Sequence, residues 1–408
     1  MTFKFSSKEI HFLKTDSDDF KIKPPKTYFG DLLLDKSDKL FTFERRITKT
    51  KIPGKKFLCA VIQISLTPDS ILEASEDTFK EVFNSSLDHK KGIWENLSQN
   101  FFALAFWGYK NKKKASQLIV SLKDKLSKRL KADILIGFST FPFHDFSKSQ
   151  TLGNAIKAAD HAAFFGPNSM APFDATTLNI SGDRLYQLDK LEMAMEDYQK
   201  GLEIEPDNIN LINSLGVCFG VMGKLNMAKL EFEKAMKINP DELTVIYNIG
   251  LLYQIEGDID KAILYLQKAH GSKLSVFEVE LLLGHLLIKK KHHEQAIPHL
   301  EKASRINPKS GLTFRMKGEI YLEENRPEKA GLEFNTAIKL NPGDAASLSG
   351  YAKSLELQGR NLNIALTLAK KSISLEPDNK KFKKRLKTIQ TKINDTCLSP
   401  QKELKQQH

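Results

Sequence analysis

The chain has 408 residues, 27% of them charged, and a formal net charge of +12. This length accommodates two or three domains. The cysteines, Cys59, Cys218 and Cys397, are scattered without a CxxC pattern, so they are expected to be free thiols in a reducing compartment. The sequence opens without the apolar core of a signal peptide, and no run of about 18 apolar residues predicts a membrane-spanning helix. We therefore expect a cytoplasmic protein.

The first part of the chain alternates apolar runs with amphipathic stretches. Residues 1–34 are predicted to be a separate N-terminal segment whose order is open, because Lys23-Pro24-Pro25-Lys26 is typical of a boundary. Residues 35–174 then read as β-α-β-β-α-β-α-β, which predicts an α/β sandwich with helices against a sheet. The predicted strands begin with Phe57–Leu66 and Gly92–Glu95 and continue with Phe101–Trp107, Ile134–Phe138 and Ser169–Phe173.

Three short motifs in this region carry a resemblance to a known family. Ile134–Pro142 (ILIGFSTFP) is similar to a strand that reads S-I-G-x-A-x-x-P, Ala159–Ala163 to the start of an A-D-x-A-L-Y helix, and Gly166-Pro167-Asn168 to a closing G-R-N. Residues 35–174 thus resemble the GGDEF domain of bacterial diguanylate cyclases. The resemblance implies a cyclase-like fold in which a hairpin acid and a first-strand aspartate hold two divalent cations.

The residues at the signature position depart from that pattern. The slot holds Ser98, Gln99, Asn100, Phe101 and Phe102, without the acidic pair. Gln63 and Ser65 stand where the family has its first-strand aspartate, and carboxamides or phenyl rings cannot replace carboxylates on Mg²⁺. We therefore predict a degenerate GGDEF domain with no catalytic residues, no cofactor and no metal. The chain is not expected to be an enzyme.

A block of about 34 residues repeats in the second half. Its closing prolines are Pro206, Pro240, Pro308, Pro342 and Pro377, with Leu274 in the one slot that lacks proline. Small and aromatic residues recur at fixed positions inside each block, for example Gly216, Phe219, Ala228 and Phe232. This pattern resembles the tetratricopeptide (TPR) repeat. Residues 175–378 are therefore predicted to form six helix-turn-helix repeats, an all-α solenoid.

In that family the first helix of each repeat lines a concave groove. The resemblance places twelve residues there: Asn179, Asp183, Tyr186, Asn213, Val217, Tyr247, Leu251, Gln254, His285, Arg315, Glu319 and Lys353. The mixture of amide, aromatic and aliphatic side chains suits an extended peptide. We expect a protein or peptide partner in this groove.

Two charged or histidine-rich stretches allow other interpretations. Residues 379–408 carry most of the net charge, and Leu386, Ile389 and Ile393 at helical spacing predict a capping helix followed by a tail. An alternative is a basic patch for nucleic acid or anionic lipid. Four histidines (His285, His292, His293 and His299) are expected to be solvated and not to form a metal site.

These patterns together predict a non-catalytic scaffold or adaptor, in bacterial signalling, that binds its partner through the repeats. The alternative is a sensor in which the degenerate GGDEF domain binds cyclic di-GMP or a nucleotide and regulates the repeats. The sequence leaves the partner, the pathway and the oligomeric state open.

Overall fold

A computed structural model describes residues 12, 28–34, 38–52, 56–65, 76–86, 91–98, 100–270 and 276–404. The chain divides into two compact units, residues 14–239 and residues 240–408 together with residues 1–13. Each unit is described by itself. Within the described residues no helix combines the length and the apolarity needed to cross a membrane.

The α/β region of the first unit contains these helices and strands: α1 (Asp38–Lys49), β1 (Phe57–Ser65), α2 (Glu76–Ser86), β2 (Gly92–Ser98), β3 (Phe101–Trp107), α3 (Lys112–Leu130), β4 (Asp133–Phe141), α4 (Gln150–Ala163) and β5 (Met170–Pro172). The strands form one sheet with the order β2-β3-β1-β4-β5. Strand β1 is antiparallel to β3 and to β4, and β4 is parallel to β5. From β1 onward the order of strands and helices is the predicted one.

Each face of the sheet is covered by helices, because alternate side chains of β1 point to opposite sides. Leu58, Ile62 and their neighbours pack with α2 and α3 in one core. Phe57 and Val61 pack with α1 and α4 in the other. The region is a three-layer α/β sandwich.

Two elements of the second core are not predicted from the sequence. Helix α1 buries Phe43 and Ile47, one turn apart, against the sheet. A 3₁₀ turn at Phe29–Leu33 lies against α4, and the ring of Phe29 stacks on Phe101 with centroids 5.1 Å apart. Residues 28–34 are therefore packed onto the α/β region, although the sequence groups them with the N-terminal segment.

Four helices complete the first unit: α5 (Ala175–Gln187), α6 (Leu191–Ile204), α7 (Ile209–Val221) and α8 (Leu225–Ile238). Asp174 starts α5 with a capping box, in which its carboxylate accepts from the Thr177 amide at 2.8 Å. Because β5 ends at Pro172, the sheet passes into the first repeat without a linker.

The second unit contains four more helix pairs and a final helix. The pairs are α9 (Leu243–Glu256) with α10 (Ile259–His270), α11 (Phe277–Lys289) with α12 (His293–Ile306), α13 (Gly311–Glu323) with α14 (Pro327–Leu340), and α15 (Ala345–Gln358) with α16 (Leu362–Leu375). The final helix is α17 (Lys380–Leu404). With the two pairs of the first unit, the described residues form six helix-turn-helix pairs, as the repeat spacing predicts.

Small residues let the two helices of a pair approach each other. A Cβ on Gly216 would lie 2.6 Å from the ring of Phe232, and one on Gly318 would lie 2.9 Å from the ring of Phe334. Both rings are fully buried. The glycine that recurs in the first helix of a pair therefore packs directly against the aromatic ring that recurs in the second helix.

Candidate partner-binding surface

The predicted partner-facing residues of the first unit lie on α5 and α7. Asn179 is buried and its side-chain oxygen lies 3.4 Å from the Ser214 hydroxyl, which donates to it. Asp183 accepts from the Tyr198 hydroxyl at 2.7 Å. Burial raises the pKa of Tyr186 to about 12, with a smaller contribution from Cys218. The two hydrogen bonds therefore tie α5 to α7 and to α6.

Asn213 and Val217 on α7 are both fully buried. Helix α7 is buried continuously from Leu211 to Gly220, so it presents little of its own surface to solvent.

The second unit holds the remaining predicted residues on α9, α11, α13 and α15. Tyr247 and Leu251 are each 1% exposed, whereas Gln254 and His285 are half-buried. Burial, followed by the nearby charges of Lys289 and Arg315, lowers the pKa of His285 to about 4. The imidazole is therefore neutral at pH 7 and keeps one ring nitrogen as an acceptor.

The polar side chains further along this unit already have partners. Arg315 donates to Asp344 at 2.9 Å, and Lys353 forms an ion pair with Glu356. Glu319 accepts from Lys381 at 2.7 Å and lies 3.4 Å from Arg385. Three of the predicted partner-facing residues are thus tied into ion pairs within their own unit.

Helix α17 supplies two of those partners. It packs Ile389 into a buried cluster with Ala365 and Ala369, and Leu386 and Ile393 lie against that cluster. Its basic side chains reach back, since Lys381 and Arg385 meet Glu319, and Lys392 donates to the carbonyl oxygen of Glu356 at 2.5 Å. The chain over Lys380–Leu404 is helical, and part of the charge behind the nucleic-acid alternative is paired.

The histidines correct one prediction. His299 Nδ1 lies 2.7 Å from Glu280, a carboxylate that is 1% exposed and also pairs with Lys302 at 2.6 Å. His285 is half-buried on α11. These two residues are not solvated as predicted, because the helices of one pair bury the side chains that face each other. Within the described residues no group of histidine, cysteine and carboxylate side chains could hold a metal ion.

The signature position of the cyclase resemblance is filled by core residues. The two strands pair through Ser98 opposite Phe101, and Asn100 in the turn has a φ of 60°. Phe101 is buried against Phe29, and the ring of Phe102 stacks on Phe79 with centroids 3.9 Å apart. Gln99 lies outside the described residues. Where the cyclase family has acidic residues, this hairpin therefore has two phenylalanine rings, one packed on each face of the sheet.

A polar cluster that the sequence analysis does not anticipate joins the α/β region to the first repeat. Lys157 on α4 lies 2.5 Å from Asp197 on α6, which also accepts from Ser181 at 2.6 Å. Arg184 on α5 pairs with Asp31 at 2.6 Å. No local sequence motif predicts these two ion pairs, because their members are 40 and 153 residues apart.

Asp160 is at the centre of the same junction. Its carboxylate accepts from the backbone amides of Phe29 at 2.5 Å and Gly30 at 2.8 Å. Burial nevertheless raises its pKa to about 7, because removal of water from the side chain outweighs the two hydrogen bonds.

A cleft of about 600 Å³ opens between α2 and α3. Lys125, Lys128 and Arg129 line one side, and Glu81, Val82 and Ser85 the other. These are surface side chains with mixed charge, which do not define a ligand.

Comparisons with known proteins identify the repeats. Residues 182–220 match a model described as TPR repeat. Residues 243–270, 281–310 and 316–344 match a model described as tetratricopeptide repeat. The TPR prediction is confirmed for these segments. A search of curated proteins gives no significant match.

Three solved structures illustrate the similarity of the helices to known folds. The pilF protein of Pseudomonas aeruginosa aligns with a TM-score of 0.49 and 19% identity, over 52% of this chain and 95% of its own. YrrB, described as a TPR protein with an unusual peptide-binding site, aligns with a TM-score of 0.40 and 19% identity, over 45% and 95%. PilW, described as a widely conserved type IV pilus biogenesis factor, aligns with a TM-score of 0.46 and 15% identity, over 52% and 98%.

Proposed function

We propose that this chain is a non-catalytic interaction protein whose repeats bind an extended segment of a protein partner. TPR arrays generally serve as protein-binding surfaces, because stacked first helices present side chains along one continuous face. The partner-facing positions of α9 and α11 combine an aromatic ring, aliphatic side chains and amide or imidazole groups. The amide and imidazole groups of such a face can pair with the backbone of an extended peptide.

Two acceptor atoms carry this proposal. Gln254 Oε1 and His285 Nε2 are buried, and neither has a hydrogen-bond partner among the residues that the structure describes. A buried polar atom left unpaired costs about 1–3 kcal/mol. The backbone N–H groups of a peptide along this face would satisfy both atoms, provided that His285 is in its neutral Nδ1–H form. The lowered pKa of His285 favours that neutral form.

The test compares three baits in a pull-down from native lysate with mass-spectrometric readout. The bait variant Gln254→Ala/His285→Ala removes the two acceptors, and because neither atom has a described hydrogen bond to lose, the fold should persist. The matched control is Leu264→Ala/Leu332→Ala, which alters side chains that are 55% and 71% exposed on second helices. We expect a partner that wild type and control retain and the acceptor variant loses. Equal capture by all three baits would refute the proposal.

In this proposal the α/β region neither binds nor converts a nucleotide. Phe101 and Phe102 are buried at the hairpin where the cyclase family holds its substrate, so a nucleotide there would have to displace core side chains. Calorimetric titration with cyclic di-GMP, and separately with GTP and Mg²⁺, should give no binding heat. Saturable binding of either would restore the sensor alternative. The signalling role and the cytoplasmic location stay predictions from the sequence.

A further inference from the structure

Arg385 on α17 is a nearly buried cation with incomplete hydrogen bonding. Its side chain is 11% exposed. The guanidinium donates to the Ser349 hydroxyl at 3.3 Å and to Glu319 at 3.4 Å. Hydrogen bonds from a cationic nitrogen to a carboxylate are normally about 2.7–2.9 Å long. Because a guanidinium offers five N–H donors, these two long contacts within the described residues leave most of its donors unused.

Glu319 is already paired without Arg385. Its carboxylate lies 2.7 Å from Nζ of Lys381, a side chain that is 58% exposed. Two cations therefore share one carboxylate, and the three side chains together carry one surplus positive charge. A cation taken out of water is stable only with close partners. Neutralisation of Glu319 therefore does not account for the position of Arg385.

The contacts of Arg385 place it on the partner-binding face. Glu319 is a predicted partner-facing residue of α13, and Ser349 is a fully buried residue of α15. Helix α17 thus continues the series of first helices beyond α15. One turn after Arg385, Ile389 is fully buried in the cluster that closes the last pair. This packing holds the guanidinium in place before a partner arrives.

Positive charge also reaches the α11 end of the same face. Burial, and then the charges of Lys289 and Arg315, lower the pKa of His285. A segment that crosses from His285 to Arg385 is therefore exposed to a positive potential. Complementary charge favours an acidic segment there and disfavours a basic one.

We propose that Arg385, assisted by Lys381, binds an aspartate or glutamate side chain of the protein segment that the repeats hold. The planar guanidinium matches the two oxygens of a carboxylate, whereas the ammonium group of Lys381 is a point charge. This inference rests on the proposed function and adds the chemistry of the partner. The acceptors on α9 and α11 bind the backbone of the segment, and the α17 end binds its acidic side chain.

The spacing of the helices sets the position of that acid in the segment. Packed helices lie about 8–10 Å apart, so α15 lies roughly 20 Å from α11. An extended chain advances about 3.3 Å per residue. The acid is therefore expected roughly six residues from the part of the segment that lies on α11.

The first experiment selects ligands from a randomised dodecapeptide array, with both peptide termini blocked so that only side chains supply carboxylates. Wild type should enrich peptides with Asp or Glu at one fixed position. Arg385→Gln should lose this preference and keep the rest of the selected sequence. The matched control is Lys383→Gln, which removes the same charge from an exposed site on α17 and should keep the preference. A selected sequence without an acid, or an unchanged preference in Arg385→Gln, would overturn the inference.

The second experiment does not depend on the folding of a variant. The selected peptide and a version with Asn or Gln in place of the acid are titrated into wild type and followed by fluorescence anisotropy. The neutral peptide should bind about tenfold more weakly, because it lacks a hydrogen bond between charged groups. The difference should disappear in Arg385→Gln and persist in Lys383→Gln. Equal affinity of the two peptides for wild type would contradict the subsite.

These outcomes are separable from those of the proposed function. Selection that depends on Gln254 and His285 but includes no acid leaves the partner-binding face intact and removes only the Arg385 subsite. A wild-type chain that enriches no sequence contradicts both proposals.

Discussion

Gly137 shows how a single hydrogen in place of a side chain sets the distance between two layers. A Cβ at this position of β4 would lie 2.0 Å from the backbone nitrogen of Ala159 and 2.3 Å from the carbonyl oxygen of Ala155, both on α4. Backbone atoms of a helix cannot move aside individually. We predict that Gly137→Ala lowers the free energy of unfolding by about 3 kcal/mol or more, measured by chemical denaturation.

The control for Gly137→Ala is Gly153→Ala in α4 itself. A Cβ on Gly153 would meet Leu33 at 3.6 Å, which is an ordinary contact. This substitution should stabilise the helix by about 0.5–1 kcal/mol. Similar destabilisation by both substitutions would mean that the sheet and α4 are not in the contact described.

Asp160 should make the stability of the first unit depend on pH in an unusual direction. Its pKa is raised from 3.8 to about 7 by burial, so between these values the folded state binds more protons than the unfolded state. Stability from this group is therefore fully present below pH 3.8 and is lost as the pH rises through 7, with a slope of at most about 1.4 kcal/mol per pH unit.

The measurement compares wild type with Asp160→Asn by denaturation at pH 5 and pH 8. Because the carboxamide of the variant cannot titrate, the difference between the two proteins isolates Asp160 from the other ionisable groups, which include Arg184 and Asp31 beside it. Wild type should lose stability relative to the variant on going to pH 8. Parallel curves would show that Asp160 keeps an ordinary pKa.

At the scale of elements, the ion pair between α4 and α6 joins the sheet to the first repeat. Asp197 is 6% exposed and Lys157 is 18% exposed. Removal of one member of a buried pair leaves the other charge unpaired, and we expect Asp197→Ala to cost about 3–5 kcal/mol. The adjacent Glu196 is exposed, so Glu196→Ala should change stability by less than about 0.5 kcal/mol.

Hydrogen exchange locates the effect of Asp197→Ala. Amides of α5 and α6 should lose protection while those of β1 and β4 keep it, and a double-mutant cycle with Lys157→Met gives the coupling energy. Uniform loss across the first unit would mean that the repeat and the sheet unfold as one body. No coupling would mean that the pair contributes nothing as a pair.

Elements can be predicted where one pattern dominates locally. The apolar runs of β1, β3 and β4 are buried on both sides of the sheet and are recognisable from composition alone. Helix α1 escapes prediction because only Phe43 and Ile47 are buried in a segment that is otherwise polar. The contacts of Asp160 and Lys157 cannot be predicted for a different reason. Their partners lie far away in the sequence and come close only in the folded chain.

At the scale of the whole molecule, the repeat period predicts the helix pairs but not what covers them. The register on the first helices follows from the spacing of glycines and aromatics, and it leads to Gln254 and His285 among the partner-facing positions. The repeat pattern by itself does not show which other segments cover the first helices. It therefore does not predict the contact between Arg385 and Glu319, which are 66 residues apart. A periodic pattern describes contacts between neighbours, whereas the ends of an array are set by non-repeating segments.

The final helix provides the last prediction, because an array of repeats exposes apolar surface wherever it stops. Ile389 is fully buried in the cluster that closes the last pair, whereas the adjacent Thr388 is exposed. A charge at position 389 cannot be buried there, so Ile389→Asp should detach α17 and lower the stability of the second unit by about 3–5 kcal/mol. Thr388→Asp adds the same charge outside the cluster and should be close to neutral.

Light scattering tests the consequence of detaching α17. The uncovered surface around Ala365 and Ala369 should make Ile389→Asp associate as its concentration rises, whereas Thr388→Asp should behave as wild type. If Ile389→Asp melts and scatters as wild type does, α17 does not close the array, and the ion pairs to Glu319 would then be an incidental contact. If both variants associate, added negative charge on α17 is responsible, and the basic face of the helix has a role beyond capping.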